Sequence, residues 1–224
     1  MLKGMKLVFL FFVLWGGLSD AQAQVPPYRA VQNDPMGEVS TISMERARVL
    51  FTRFQRETSI PYNYPMDGCY ARATAMARIA QKQGLTMGKV FTHGMLQVRT
   101  GNPGYPLVQW GYHVAPIIEV RQADGSVKKM VFDPSLFDRP VTVDEWNQRM
   151  LDQVPASEGG FTPRIERTYF TSRFQHFPNQ RDAGYWSRDT LNNVHYTFER
   201  YRPLERRPPV AKPSASSAAE EGVH

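Results

Sequence analysis

The sequence is poor in cysteine: its 224 residues contain a single one, Cys69. One thiol excludes a disulfide within the chain, and a chain of this length can bury a hydrophobic core without one. An unpaired thiol in an oxidising compartment is exposed to oxidation and to mixed disulfides. If the protein is exported, we therefore expect Cys69 to be either buried and inert or retained for its chemistry.

Long apolar runs are also scarce, and the one that stands out lies at the N-terminus. Residues 7–14 are apolar and follow Lys3 and Lys6, and small residues come after them and end in Ala21-Gln22-Ala23. This order is typical of a secretory signal peptide with an A-x-A cleavage site. The alternative is a membrane anchor, but the run is shorter than the ~20 residues that span a bilayer. We expect residues 1–23 to be cleaved and the mature protein to be periplasmic or secreted, without stable membrane insertion.

The excess of charge is small, with 27 basic and 21 acidic residues and a formal net charge of +6. The basic residues are spread along the chain, apart from a short cluster at Arg206 and Arg207. This distribution is typical of a solvated, mildly cationic surface and argues against a nucleic-acid interface. One cysteine and scattered histidines also lack the spacing of a zinc site. We expect no nucleic-acid partner and no bound metal.

The first half of the mature chain contains two predicted helices. Residues 24–42 are rich in proline and polar residues, which predicts an extended lead-in. Residues 43–57 have the spacing of an amphipathic helix that Ser43 can cap. An Asp-Gly turn then precedes residues 69–83, which are rich in alanine and helix formers. They predict a buried central helix with the cysteine at its start.

Strand-like runs follow the central helix. Three predicted strands cover residues 89–99, 108–120 and 126–133, and the last two are expected to form a hairpin. Thr142 and Glu145 form a capping-box pattern, which predicts a short helix over residues 142–151. Residues 161–201 are rich in aromatic side chains, and we expect further strands and loops there.

The arrangement of these elements predicts one α+β domain. Helices and an antiparallel sheet are segregated along the sequence, as in that fold class. We place the domain at residues 43–202. Residues 203–224 are rich in proline, serine and charge, which predicts a disordered tail.

Three residues are candidates for catalysis: Cys69, His113 and Asp133. Taken singly, each has a simpler interpretation: a small buried thiol, a structural histidine in a strand, and an aspartate in a turn before proline. Together they fit a nucleophile, a base and a group that orients the base. A helix N-terminus favours the thiolate because of its dipole and its unpaired N–H groups.

The strand pattern allows the other two candidates to meet. His113 lies within its predicted strand, and Asp133 ends the next strand of the hairpin. With an odd number of residues in the loop, the two side chains share one face of the sheet. Asp133 would then accept a hydrogen bond from the imidazole and fix its tautomer. The order cysteine, histidine, aspartate is that of the papain and transglutaminase superfamily.

Several segments together resemble one family. The stretches "YPMDGCYARA", "WGYHVA", "DPSLF" and "RPVTVDEW" are similar to those of bacterial protein-glutaminases, which are protein-glutamine deamidases. The resemblance runs from about Met44 to Leu151. It implies a papain/transglutaminase-like α+β fold, with a nucleophile-bearing helix packed on an antiparallel sheet. It also implies that Cys69 is the nucleophile, His113 the base and Asp133 the orienting carboxylate.

The resemblance implies an activity as well. The expected reaction is hydrolysis of glutamine side chains in proteins to glutamate and ammonia, through a γ-glutamyl thioester and without a cofactor. The expected partners are proteins or peptides with accessible glutamine, and we expect a monomer. The same three residues would serve a transglutaminase or a cysteine protease, so both stay open. A non-catalytic, transglutaminase-like envelope module is the third alternative.

Overall fold

The computed structural model describes residues 36–180 and 182–205. These residues form six strands: β1 (Thr41–Ser43), β2 (Gly88–Arg99), β3 (Leu107–Arg121), β4 (Val127–Val131), β5 (Val141–Thr142) and β6 (Arg164–Ser172). They also form four α-helices: α1 (Met44–Gln55), α2 (Cys69–Gln81), α3 (Val143–Arg149) and α4 (Arg188–Tyr201). The predicted signal peptide, most of the lead-in and nearly all of the predicted tail lie outside the described residues.

The strands form one sheet in the order β5-β4-β3-β2-β6, with antiparallel neighbours. β1 lies parallel to the last residues of β3, beyond the end of β2. Two hydrophobic cores form on the sheet: one includes side chains of α1, α2 and α4, the other Trp146 of α3. The predicted α+β class is confirmed.

Helix α1 has the predicted position and cap. Ser43 accepts a hydrogen bond from the N–H of Arg46 at 3.2 Å, which satisfies one of the free donors of the first turn. The apolar side chains of one face are buried, namely Ala47, Leu50, Phe51 and Phe54. Phe51 and Phe54 pack against Phe132 with ring centroids 5.8 Å away, so the helix is fixed to the chain that follows β4.

Helix α2 begins at Cys69, as predicted, and is buried along most of its length. The residue before it, Gly68, has φ of +83°, a left-handed conformation that favours glycine. A Cβ atom on Gly68 would lie 3.1 Å from the Tyr201 ring and 3.3 Å from Thr197. The entry into α2 therefore requires glycine for two reasons, the backbone angle and the close approach of α4.

The hairpin of β3 and β4 positions the second half of the candidate site. Its turn is closed by a hydrogen bond from the N–H of Gln122 to the carbonyl of Ser126 at 2.8 Å. The ladder continues one residue past β4, where the N–H of Phe132 donates to the carbonyl of Pro116. Asp133 is therefore two residues past β4 rather than at its end. The capping prediction for α3 is confirmed, because Thr142 accepts a hydrogen bond from the N–H of Glu145.

The expectation for residues 161–201 is only partly right. β6 is a strand, but residues 188–201 form the helix α4, with Ser187 as its N-cap. Val194, Thr197, Phe198 and Tyr201 are its buried positions, a helical spacing that the aromatic and β-branched residues obscured. Residues 202–204 continue as a 3-10 turn, and the carbonyl of Leu204 accepts a hydrogen bond from Tyr105. The chain is thus held in place up to Glu205.

Among the residues that the structure describes, no helix has the length and apolar character needed to cross a membrane.

Candidate active site

Cys69 is the first residue of α2 and is 5% exposed. The first turn of α2 has no acidic side chain, so no carboxylate there opposes the positive end of the helix dipole. In the described part of the chain, no acceptor bonds to the backbone N–H of Cys69. The thiol thus lies beside free backbone donors, as the sequence predicts.

The loop that leads into Cys69 is held by buried charge. The guanidinium of Arg72, 2% exposed, donates to the carbonyls of Tyr64 at 3.0 Å and Asp67 at 2.8 Å. The Asp67 carboxylate in turn accepts a hydrogen bond from the hydroxyl of Tyr201 on α4. Hydrogen bonds that involve a charged group are stronger than neutral ones. The position of the thiol is therefore fixed from both α2 and α4.

His113 and Asp133 form a buried pair. Nε2 of His113 lies 2.8 Å from Oδ2 of Asp133, and both residues are almost fully buried. The carboxylate has further donors: the indole N–H of Trp146 at 2.9 Å, and the N–H and hydroxyl of Ser135. A buried carboxylate with several donors stays charged and keeps its orientation.

The pKa values of this pair move in opposite directions. Burial acts to lower the pKa of His113, but the Asp133 carboxylate and the nearby Cys69 outweigh burial and raise it to about 9. Burial acts to raise the pKa of Asp133, but His113, Ser135 and Trp146 hold it at about 2. The geometry therefore favours an imidazolium beside a carboxylate at neutral pH.

Two tryptophans enclose the His113 ring. Trp110 stacks on it with centroids 4.6 Å apart and an interplanar angle of 9°, and Trp146 lies at 5.4 Å and 25°. The N–H of Trp110 donates to the carbonyls of Pro65 and Met66, in the loop that precedes Cys69. Each indole thus contacts the imidazole and bonds to another part of the site. Aromatic faces also favour a cationic ring.

The remaining ring nitrogen of His113 is the one available to Cys69. Since Nε2 is bonded to Asp133, only Nδ1 is left, and it has no hydrogen-bond partner. Cys69 raises the pKa of His113 both as a side-chain hydrogen-bond partner and through its charge, so the thiol lies near the ring although no bond of regular hydrogen-bond geometry joins it to Nδ1. Nucleophile–base hydrogen bonds are often long before substrate binds.

The structure thus brings together all three candidate residues from the sequence. The other histidines in the described ranges bond to other groups or are exposed: His93 lies beside Tyr169, His176 between Thr74 and Asn193, and His195 is exposed on α4. His224 lies outside the described residues. The sequence interpretation missed Trp110, Trp146 and Ser135. Only Ser135 had a local signal, since a serine two residues after an aspartate often bonds to its carboxylate.

No cluster of three or more metal-ligating side chains occurs in residues 36–180 and 182–205. The chemistry available from the described side chains is that of a thiol, an imidazole and a carboxylate, which together can attack a carbonyl carbon and transfer a proton to its leaving group. A transglutaminase-like α+β fold with this arrangement is the class that the sheet, the helix and the site define.

Comparisons with known proteins are specific for one family. A family model described as "Glutaminase" matches residues 47–150, which include all three candidate residues. No curated protein sequence matches the chain. A crystal structure of a protein-glutaminase is similar, with a TM-score of 0.63 and 26% identity over 80% of this chain and 97% of that chain.

Two further solved structures agree. The NMR structure of protein-glutaminase from Chryseobacterium proteolyticum has a TM-score of 0.63 and 27% identity, over 80% of this chain and 98% of that one. A crystal structure of pro-protein-glutaminase has a TM-score of 0.60 and 25% identity, over 80% of this chain and 66% of that one. The resemblance to protein-glutaminases that the motifs indicate is thus confirmed by the family model and by the solved structures.

Proposed function

We propose that the protein hydrolyses the side-chain amide of glutamine residues in proteins, with glutamate and ammonia as products. The match to a glutaminase family model and the similarity to solved protein-glutaminases support deamidation of protein glutamine. The observation that carries the mechanism is the hydrogen bond between His113 and Asp133 at 2.8 Å, next to a thiol at the start of α2. In this proposal Cys69 is the nucleophile, His113 the acid and base, and Asp133 the orienting group.

In the first half-reaction the Cys69 thiolate attacks the γ-carboxamide carbon. The carbonyl oxygen becomes an oxyanion, which the free backbone N–H of Cys69 stabilises. The tetrahedral intermediate then collapses: the carbon–nitrogen bond breaks, and Nδ1–H of the His113 imidazolium donates its proton to the leaving amine. Ammonia departs, and a γ-glutamyl thioester with Cys69 remains.

In the second half-reaction water replaces ammonia. Neutral His113 takes a proton from the water through Nδ1 while the oxygen attacks the thioester carbon. The carbon–sulfur bond breaks, the thiolate returns, and glutamate is released. Asp133 keeps Nε2 protonated throughout, so that Nδ1 faces the reacting atoms. Each turnover adds one negative charge to the substrate protein.

We also propose that the protein acts after export, in the periplasm or outside the cell. The proposal rests on the charged, apolar and small-residue segments of residues 1–23. N-terminal sequencing of the protein recovered from a bacterial host tests it. A mature chain that starts at Gln24 is expected, and retention of the intact N-terminus in the cytoplasm would contradict it.

The test of the reaction uses the mature protein and its Cys69→Ala variant, each incubated with an unfolded protein rich in glutamine. We expect ammonia release together with the mass gain of deamidation, both lost in the variant, and peptide mapping is expected to place the change at glutamine. Circular dichroism shows whether the variant is folded. Fragments would instead indicate a protease, and crosslinked products a transglutaminase. A folded wild-type protein that releases no ammonia and changes no substrate would contradict the proposal.

A further inference from the structure

Three aromatic rings from adjacent strands line the sheet beside Cys69. They are Tyr112 on β3, His93 on β2 and Tyr169 on β6, and together they are called the aromatic strip. The His93 ring stacks between the tyrosines, 5.7 Å from Tyr112 and 5.5 Å from Tyr169. Nε2 of His93 also lies 3.0 Å from the Tyr169 hydroxyl. These contacts hold the strip in one arrangement.

The strip adjoins the thiol. Tyr112 and Tyr169 both pack against a small buried cluster that contains Cys69 and Phe91. Phe91 is fully buried and stacks on Tyr169 with ring centroids 5.4 Å apart and an interplanar angle of 5°, so it helps to hold Tyr169 in place. The tyrosines themselves are only partly buried. Part of their surface is thus open to a molecule whose reacting group is at Cys69.

A cation lies at the outer end of the strip. The Arg167 guanidinium stacks over the Tyr169 ring at 5.0 Å and donates to Oδ1 of Asn179 at 2.8 Å. Asn179 has φ of +57°, so the loop adopts an uncommon conformation where it holds the arginine. Among the described residues, no carboxylate forms an ion pair with Arg167. The guanidinium is therefore oriented, while no carboxylate of residues 36–180 and 182–205 pairs with its charge.

Neighbouring charges do not neutralise Arg167. Glu166, next to it on β6, pairs with Arg164 at 3.2 Å, and the Asp67 carboxylate near Tyr112 bonds to Tyr201. Burial, followed by the charge of Arg167, lowers the pKa of His93 to about 4, so His93 is neutral at neutral pH. The end of the strip at Tyr169 therefore carries the positive charge of Arg167.

We propose that the aromatic strip and Arg167 form a substrate subsite for the residues beside the target glutamine. An aromatic or large apolar side chain next to the glutamine packs on Tyr112 and Tyr169, and a carboxylate one residue further binds Arg167. Aromatic pairs and a charge-assisted, planar guanidinium–carboxylate contact supply the recognition. The inference rests on the proposed deamidase function, since it takes Cys69 as the point where the glutamine lies.

The first test compares blocked peptides with one glutamine. The reference places the glutamine among glycines; the others add a phenylalanine directly before or after it, with a glutamate or a lysine one residue further. With phenylalanine on one of the two sides of the glutamine, we expect a kcat/KM for ammonia release about tenfold above that of the reference peptide. Glutamate at the outer position is expected to exceed lysine about fivefold. Equal kcat/KM values throughout would overturn the subsite while leaving the deamidase reaction intact.

Matched variants assign each preference to a residue. In Arg167→Gln, the kcat/KM values of the glutamate and lysine peptides are expected to become equal. In Tyr112→Ala, those of the phenylalanine and glycine peptides are expected to become equal. Arg121→Gln removes the same charge from the exposed end of β3, and Tyr196→Ala removes an exposed tyrosine from α4. Both controls are expected to retain the wild-type ratios. If Arg167→Gln keeps the glutamate preference, the subsite is wrong.

Peptide affinity tests the subsite in a variant that does not turn over substrate. In the folded Cys69→Ala variant, the glutamate-containing phenylalanine peptide is expected to bind about fivefold more tightly than its lysine counterpart, a difference lost on adding Arg167→Gln. Fluorescence titration measures both. Equal Kd values would overturn the subsite whether or not the wild-type protein releases ammonia. A failure of the subsite is therefore distinguishable from a failure of the proposed reaction.

Discussion

At His113, burial and the Asp133 carboxylate act on one imidazole ring in opposite directions. Burial alone favours neutral histidine, but the carboxylate wins and the pKa rises to about 9. The imidazolium is present below that pKa and lost as the pH rises through it. In the proposed mechanism this imidazolium protonates the leaving amide nitrogen, which departs as ammonia, so loss of the imidazolium sets the alkaline limit of activity.

Asp133→Asn tests this relation between the two residues. An amide has no charge to oppose burial, so the pKa of His113 is expected to fall and the alkaline limb of kcat/KM to move to lower pH. Activity at neutral pH is expected to fall at least about tenfold, because a charge-assisted hydrogen bond is lost. A pH profile of ammonia release measures both effects. Asp138→Asn, at an exposed position, is the control, and an unmoved limb in Asp133→Asn would contradict the assignment.

Trp146→Phe tests the indole donor to Asp133. Phenylalanine keeps an aromatic ring beside His113 but removes the N–H that lies 2.9 Å from the carboxylate. We expect kcat to fall about tenfold and the pKa of Asp133 to rise, because a donor to its charged form is lost. Trp186→Phe is a matched control, since the buried Trp186 N–H has no hydrogen-bond partner within the described part of the chain. Equal activity in the two variants would show that the Trp146 bond is dispensable.

The sequence predicted which three candidate side chains lie together but not the groups that hold them. Cys69 follows a turn at a helix start, and His113 and Asp133 keep the parity of the hairpin although Asp133 lies past β4, so local pattern was sufficient to predict that these side chains lie together. Trp146 bonds across 13 residues and Trp110 across 45, to partners that share no period with them. Such contacts depend on how the elements pack, and propensity and spacing do not specify that packing.

At the scale of elements, α4 holds the start of α2 in place. Its Tyr201 hydroxyl bonds to Asp67, and its Thr197 and Tyr201 side chains lie against Gly68. This helix was also the element that the sequence did not predict, because the run "LNNVHYTFERY" is rich in residues of low helix propensity. Burial of one face against α2 decides its structure. The helix that the sequence did not predict is thus one that positions Cys69.

Gly68→Ala tests the junction of α2 and α4. At position 68, alanine would have to adopt a left-handed backbone angle and would also come too close to the Tyr201 ring. In Gly125→Ala only the backbone angle is unfavourable, because φ is +82° and no atom lies within 4 Å of the added Cβ. Each is expected to lose about 1–2 kcal/mol of unfolding free energy from the backbone. Gly68→Ala is expected to lose more and to lose most activity, since Cys69 moves. Urea unfolding and ammonia release measure these changes, and equal losses in the two variants would contradict the packing argument.

Across the whole molecule, His113 and Lys89 link stability to pH in opposite ways. Lys89 is fully buried and donates to Oγ1 of Thr74 at 2.8 Å and to the carbonyl of Gln175 at 2.6 Å. Burial lowers its pKa to about 7, despite the opposing effects of Asp182 and Cys69. The charged lysine therefore costs stability below pH 7, and this cost is relieved as the pH rises from 7 towards the pKa of the unfolded chain. His113 has a raised pKa, so its contribution is full below about pH 6.5 and is lost by pH 9.

Between pH 7 and 9 these two effects are expected to cancel, which leaves the wild-type free energy of unfolding nearly constant. Lys89→Met keeps an unbranched apolar side chain in the same space but removes the contribution of the lysine to the pH dependence of stability. The stability of this variant is therefore expected to fall as the pH rises over that window, by up to about 1.4 kcal/mol per pH unit for the one remaining proton. Urea unfolding at pH 7, 8 and 9 measures the slope, with Lys128→Met as the control at an exposed position. A flat profile in Lys89→Met would mean that Lys89 or His113 does not titrate in this window. A falling profile would show that the charge proposed for catalysis is also one that the folded state stabilises.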